Sequence, residues 1–370
     1  IQSEKKQKIE ISVFRGLEMI FYIFFLVLLI FLGGRYSVNN KYLSKNLSLI
    51  FSFVFIILFA MLRFDVGYDY PTYWHSIFPD LNRNEVYRWE LFPRFLALFC
   101  NKYRYPWIFF VITSVFSYTL VYFGIKKYSV SYFESIVIYI SLFFLSGLST
   151  IRQTVAVSIV FYATRCIFEH KMLKYIVLCI FACLWHKSAF IAIPIYFVYN
   201  YINIIFSVIL LFIVLILKVF IFKKLKELGL MLSYIDALEN LKGGSLMRYF
   251  YILITAYLFF ISLITGTYNK SKRFFSILIL GFAFPLIFGG HMGLRFAEYY
   301  NIYLCFAYPV VFSKFKIKER ALTLIIFYFV FIFTLHISTS NPTRSPYIPY
   351  QTVLFIDKEN FKNLKSFRYN

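Results

Sequence analysis

Residues 47–74 read LSLIFSFVFIILFAML and then RFDVGYDYPTYW. The first part, Leu47 to Leu62, is apolar apart from Ser48 and Ser52. Such a run is at home as a helix in lipid, where the backbone finds no outside hydrogen-bond partner. The second part brings Arg63, Asp65, Gly67, Asp69 and Pro71 together with Phe64, Tyr68, Tyr70, Tyr73 and Trp74. That mixture cannot sit in hydrocarbon, and it is too aromatic for an ordinary solvated loop. The pair of stretches therefore predicts a span that ends at a membrane surface, where the polar part lines a site.

The rest of the chain repeats the apolar theme. Of its 370 residues, 61% are hydrophobic and only 15% charged. Soluble domains carry about a quarter charged residues. Apolar runs near the ~20 residues needed to cross a bilayer recur from end to end. They fall at 17–34, 46–62, 106–124, 132–148, 150–168, 172–185, 187–201, 203–222, 247–266, 274–290, 294–313 and 321–339. This predicts an all-α polytopic membrane protein with about 12 transmembrane helices, in which the short spans near 172–201 are the ones to break or re-enter. A barrel would show short alternating segments instead. Leu91–Cys100 is apolar but too short to cross, and contains Pro93 and Arg94, so it is expected to lie at the interface. Trp74, Trp89 and Trp107 bracket that region as an interfacial belt would.

The net charge of +22 does not require a nucleic-acid partner. The excess lysines and arginines fall in short loops, as on the cytoplasmic side of membrane proteins. Lys126-Lys127, Lys171 with Lys174, Lys270 with Lys272-Arg273, and Lys314, Lys316, Lys318 with Arg320 all fall on one side. The opposite side receives the opening stretch and the turns Gly147–Arg152, Trp185–Ser188 and Gly289–Arg295. It also receives the 223–245 segment and the tail. The lysines of residues 1–16 argue against this placement for the N-terminus. One transmembrane domain, 1–370, is expected, with outer-face segments near 63–105, 223–246 and 340–370. The five cysteines lie in or beside apolar runs and read as small fillers. No Cys/His cluster has zinc spacing, and the first apolar segment lacks a cleavage site for a signal peptide.

Unusual polar residues gather on the outer side. Ser149 or Thr150 is a candidate helix cap, and Arg152 follows in the first turn beside Gln153. A cation there opposes the helix dipole, but it fits an anion, because free N–H groups and a guanidinium then meet one phosphate. His186 stands just past the end of a span and has a pKa suited to proton transfer. His291 and Arg295 open a further span, with Glu298 and Tyr299 following. A second arginine of this kind is what a pyrophosphate calls for, and Arg295 paired with Glu298 is the purely structural reading. Asp65 and Asp69 are both candidate bases. Gly67 permits a turn other residues resist. Tyr68, Tyr70, Tyr73 and Trp74 suit stacking on sugar faces, and Arg63 pairing with an aspartate is the structural alternative there. No serine elbow, P-loop or dinucleotide fingerprint occurs, and no acidic cluster suggests a metal, so metal-independent chemistry without a cofactor is expected.

Arg63, Gly67, Asp69-Tyr70 and Tyr73 resemble the Arg-x-x-x-Gly-x-Asp-Tyr-x-x-Tyr signature of the EpsG family of bacterial exopolysaccharide proteins. That family is similar to Wzy-type O-antigen and capsule polymerases. Arg152-Gln153 opening a span, His186 with Ser188 about thirty residues on, Arg295, and Pro349-Tyr350 also resemble it. The resemblance implies a GT-C-like glycosyltransferase in the bacterial inner membrane with its site on the periplasmic face. It implies transfer of a growing glycan from undecaprenyl pyrophosphate to a lipid-linked repeat unit. Arg152, Arg295, Gln153 and His291 would hold the pyrophosphate, and Asp69, or else Asp65 or His186, would be the base. Arg63, Tyr68, Tyr70, Tyr73, Trp74 and Tyr299 would position sugar and acceptor. Implied partners are the lipid-linked oligosaccharide, membrane lipids and a chain-length regulator. A lipid-linked oligosaccharide flippase and a membrane acyltransferase are the rival readings.

Overall fold

The computed structural model describes Tyr22, Phe25 and residues 42–77, 83–227, 246–339 and 346–355. The N-terminal segment 1–16, the 17–34 span apart from Tyr22 and Phe25, and most of the 223–245 segment lie outside the described residues. So do 340–345 and 356–370 of the tail.

Helices dominate. Apart from the single turn Arg83–Val86, they are in order α1 (Tyr42–Leu62), α2 (Tyr70–Ile77), α3 (Leu91–Lys102), α4 (Trp107–Tyr128), α5 (Tyr132–Ser149) and α6 (Ile151–Phe168). Next come α7 (Met172–Cys183), α8 (Pro194–Tyr201), α9 (Ile204–Glu227), α10 (Leu246–Ile264) and α11 (Tyr268–Phe288). The last are α12 (Gly290–Asn301), α13 (Leu304–Val311) and α14 (Ile317–Thr339). Among the described residues, six are long and apolar enough to cross a membrane: α4, α5, α6, α10, α11 and α14. Shorter apolar helices lie at Leu47–Leu62, Met172–Cys183, Ile204–Lys218 and Leu304–Lys314. At 1.5 Å per residue, α7 rises about 18 Å, less than the ~30 Å hydrocarbon thickness. The run predicted as one span at 187–201 is a 3-10 turn, Lys187–Ala192, followed by the short α8. The run predicted at 294–313 divides into α12 and α13.

The central helices are α5 and α6, which are almost wholly buried, whereas α10 and α14 leave most of their surface outward. That outward surface is apolar: Leu253, Phe260, Leu322 and Phe329 are all exposed. A soluble protein would not show so continuous an apolar exterior, and lipid accounts for it. Inside, some polar groups on spans are paired within the protein. Pro309 in α13 cannot donate to the Cys305 carbonyl one turn back. The Ser135 hydroxyl donates to that carbonyl instead, at 2.5 Å. Helix α5 carries a π turn over Ile140–Phe144, a local widening frequent near functional sites.

The loops sort into two ends. At one end Lys127 and Lys171 both meet Glu169, at 3.0 and 2.7 Å, and Lys314 donates to the Thr265 carbonyl. Arg320 pairs with the buried Glu134 there at 2.8 Å. The basic loops grouped by charge in the sequence thus come together in space. At the other end, Trp107 Nε1 donates to the Met61 carbonyl and the Phe92 N–H to the Leu184 carbonyl. The tail returns to this same end. Gln351–Thr352 (β2) pairs antiparallel with Arg63–Phe64 (β1), with Arg63 opposite Thr352 and Phe64 opposite Gln351.

Candidate functional site

The site is built on the loop between β1 and α2. Gly67 has φ +119°, and a Cβ there would lie 2.3 Å from the Leu148 carbonyl oxygen. Only glycine fits so close an approach in that conformation. Its N–H donates to the Pro346 carbonyl at 2.6 Å, and the Tyr68 N–H donates to Ser149 Oγ at 2.9 Å. Ser149 Oγ also bonds the Tyr347 hydroxyl at 2.9 Å. The loop is therefore clamped between the end of α5 and the tail. Neither Ser149 nor Thr150 caps α6 with its side chain, which corrects the expectation of a cap. Ser149 is drawn off by Tyr68, and Thr150 donates to the Ser146 carbonyl.

From this base two arginine–carboxylate pairs project. Arg152, in the first turn of α6, places Nη1 2.8 Å from Glu90 Oε2 and Nε 3.3 Å from the Tyr73 hydroxyl. Its guanidinium lies over Trp89, 5.1 Å from the ring centre, and over Tyr73 at 5.8 Å. Each such contact contributes about 0.5–1 kcal/mol. The other Glu90 oxygen lies 3.2 Å from His186 Nδ1 and accepts from the Lys187 N–H at 3.2 Å. The His186 contact is a close approach of polar atoms rather than an aligned hydrogen bond. Burial would raise the Glu90 carboxyl, but His186 and Arg152 outweigh it and hold the group at about 2. The second pair is Arg295 Nη2 with Asp69 Oδ2 at 3.4 Å, both partly exposed. Arg295 therefore reaches across to Asp69, not along its own helix to Glu298.

Glu298 is engaged elsewhere. Ser146 donates to its Oε1 at 2.8 Å and Gln153 to its Oε2 at 3.0 Å. Gln153 Nε2 also donates to the Arg295 carbonyl at 2.6 Å. Gln153, expected among the pyrophosphate ligands, here spends its amide N–H groups on fixing α12 against α6. Its effect is to hold the two arginine-bearing helices together.

Several sequence-predicted site residues are placed differently from expectation. Tyr70 and Trp74 are fully buried, stacked with Phe110 at 4.1 and 6.3 Å and edged by Phe64. Their faces are covered by other rings, and sugar has no access to them. Tyr73 is 5% exposed and turns its hydroxyl to Arg152. Tyr68 alone of the four keeps a ring open, at 45% exposure, with its edge against Tyr347. Arg63 is buried beneath Tyr70 and Phe110, and donates to the Ala60 carbonyl and to Ser114 Oγ rather than to an aspartate. It braces the aromatic cluster instead of meeting acceptor. Asp65 is fully buried with φ +49°, whereas the Asp69 side chain is partly exposed. Tyr299 is buried and shares a 3.0 Å hydrogen bond with Ser188, so it packs α12 inward. His291 is the second residue of α12, and its side chain lies outside the described residues.

The structure therefore brings together Arg152, His186, Asp69 and Arg295 at one end of the bundle, with Tyr68 beside them. Sequence reading missed Glu90. It sits at the start of α3 in an otherwise unremarked polar segment, and no spacing marks it. The nearest signal was its place immediately after Trp89, in the region read as interfacial.

Comparison with known families matches residues 46–352 to the EpsG family. The chain belongs to the EpsG family. The EpsG match starts in α1 and ends at β2, so it takes in every residue of the site. Membership supports a polysaccharide polymerase-type function for this membrane protein. No curated protein and no solved structure matches the chain.

Proposed function

We propose that this EpsG-family protein polymerises a surface polysaccharide, transferring a growing glycan from undecaprenyl pyrophosphate to an incoming lipid-linked repeat unit. What carries the reading is the meeting of Arg152, Arg295, Asp69 and His186, from four separated stretches, at the end of the bundle opposite the basic loops. In this reading that end is periplasmic in the bacterial inner membrane, which the lysines and arginines of the opposite loops support. The architecture in this reading is GT-C-like with about 12 crossings.

Arg152 and Arg295 bind the donor pyrophosphate. Each already holds a carboxylate, and a phosphoryl oxygen uses the same N–H donors. The acceptor hydroxyl attacks the donor's anomeric carbon. The new glycosidic C–O bond forms as the bond to pyrophosphate breaks, and the hydroxyl proton passes to Asp69. Undecaprenyl pyrophosphate leaves with its charge neutralised by the arginines, which is electrostatic stabilisation of the developing anion. Tyr68 offers its ring to the acceptor sugar, and a chain-length regulator is a partner in this reading.

The test is glycan length in cells lacking the protein and complemented with Arg152→Ala, Arg295→Ala or Asp69→Asn. Each is expected to leave single lipid-linked units and no ladder. Normal ladders from all three would remove the site, and units stranded on the cytoplasmic face would assign a flippase instead.

A further inference from the structure

Glu90 has no part in the proposed transfer step, yet it joins Arg152 to His186. Its two oxygens accept hydrogen bonds from Arg152 Nη1 at 2.8 Å and the Lys187 N–H at 3.2 Å, and His186 Nδ1 approaches to 3.2 Å. Two donors and an imidazole converging on two oxygens make an anion site, and the anion here comes from the chain itself. We infer that Arg152, His186 and the Lys187 N–H form a phosphoryl-binding site that the Glu90 carboxylate fills at rest, and that the donor pyrophosphate enters by displacing it. This rests on the polymerase reading of the same residues.

Three observations support it. First, the chemistry is interchangeable, because a guanidinium and a backbone N–H bind carboxylate and phosphoryl oxygens alike. Second, the site is reachable. The Glu90 side chain is 8% exposed, but those of Arg152 and His186 are 23% and 27% exposed, so they form an open rim. Third, Glu90 can withdraw without unfolding a helix. It precedes α3 in extended backbone, and its side chain makes no cap bond to that helix. Rotation about its own side-chain bonds frees the three groups. Held ionised by its partners, the carboxylate is a poor base, which leaves it the role of a competing anion. His186 changes role accordingly, from candidate base to phosphoryl ligand.

Binding of inorganic pyrophosphate to the full-length protein in detergent tests this by calorimetry. Glu90→Gln keeps the shape and removes the charge, and is expected to bind pyrophosphate about tenfold tighter than the unaltered protein. Glu90→Asp draws the carboxylate back by one methylene, and is expected to bind with an intermediate gain. It serves as the second variant where Glu90→Gln fails to fold. Arg152→Ala should abolish binding, alone or with Glu90→Gln. Equal or weaker binding by both Glu90 variants would overturn the inference and make Glu90 a structural pin. Glycan ladders read the other question separately. Tighter pyrophosphate binding by Glu90→Gln with normal ladders from Arg152→Ala would keep the anion site and sink the polymerase role.

Discussion

Gly67→Ala probes the clamp on which the site is built. At φ +119° an alanine is held in a conformation that L residues rarely adopt, at a cost of about 1–3 kcal/mol. The added Cβ would also stand 2.3 Å from Leu148 O and 2.9 Å from Leu148 C, both backbone atoms of a buried helix end. Normal contact requires the loop to retreat by about 1 Å. That movement stretches the Gly67-to-Pro346 and Tyr68-to-Ser149 hydrogen bonds. At about 0.5–1.5 kcal/mol each, they bring the sum to about 2–6 kcal/mol, a large part of a typical total stability. Gly266 supplies the control. It also has positive φ, +65°, but a Cβ there meets only the flexible end of Lys314 at 3.4 Å. Gly266→Ala should cost about 1–2 kcal/mol. The assay is the thermal midpoint of the full-length protein in detergent, read by gel filtration of heated samples, alongside glycan ladders. Gly67→Ala should lower the midpoint well below that of Gly266→Ala and shorten the ladder. Equal shifts for the two variants, or none for Gly67→Ala, would refute the account of the clamp.

Two further outcomes follow from ion pairs at the two ends. Glu134→Ala strands Arg320 in a mostly buried setting and should cost about 3–5 kcal/mol, part of which Arg320→Met restores in the double variant. A thermal double-mutant cycle checks this, and additive losses would contradict it. At the other end, the Glu90 carboxyl sits at about 2 in the fold against roughly 4.3 unfolded. A lowered folded value gives stability that is full above the unfolded value and is lost as pH falls from about 4.3 toward 2. The thermal midpoint of Glu90→Gln should therefore fall less between pH 5 and pH 3 than that of the unaltered protein, and parallel curves would rule out the contribution.

Long apolar runs were legible because lipid leaves a chain little choice. The expected spans 106–124, 132–148 and 150–168 appear as Trp107–Tyr128, Tyr132–Ser149 and Ile151–Phe168. The run at 294–313 was less so, since its polar residues fall in the part that forms α12, anchored by Gln153, and its apolar ones in the buried α13. Within the site, Arg152, His186 and Arg295 stood out because a charged or titratable group at a span end needs a reason. Glu90 did not, because its meaning lies wholly in partners 62, 96 and 97 positions away. The aromatics misled in a definite way. Tyr70 and Trp74 look like sugar platforms in sequence, but the same flat faces serve ring-on-ring packing, and composition does not distinguish the two. Arg63 likewise read as an acceptor ligand or the partner of an aspartate, while its partners are a carbonyl, a hydroxyl and two ring faces.

The ladder between β1 and β2 joins residues 63–64 to residues 351–352. A ribosome that has reached residue 300 has already made Arg63, Asp69, Glu90, Arg152, His186 and Arg295. It has not made Pro346, Tyr347 or Thr352, which pin the Gly67 loop and flank β1. Every charged group of the site is thus synthesised before the strand that clamps its central loop. The loop takes up its clamped form only after β2 has been made, however early the reactive residues are synthesised.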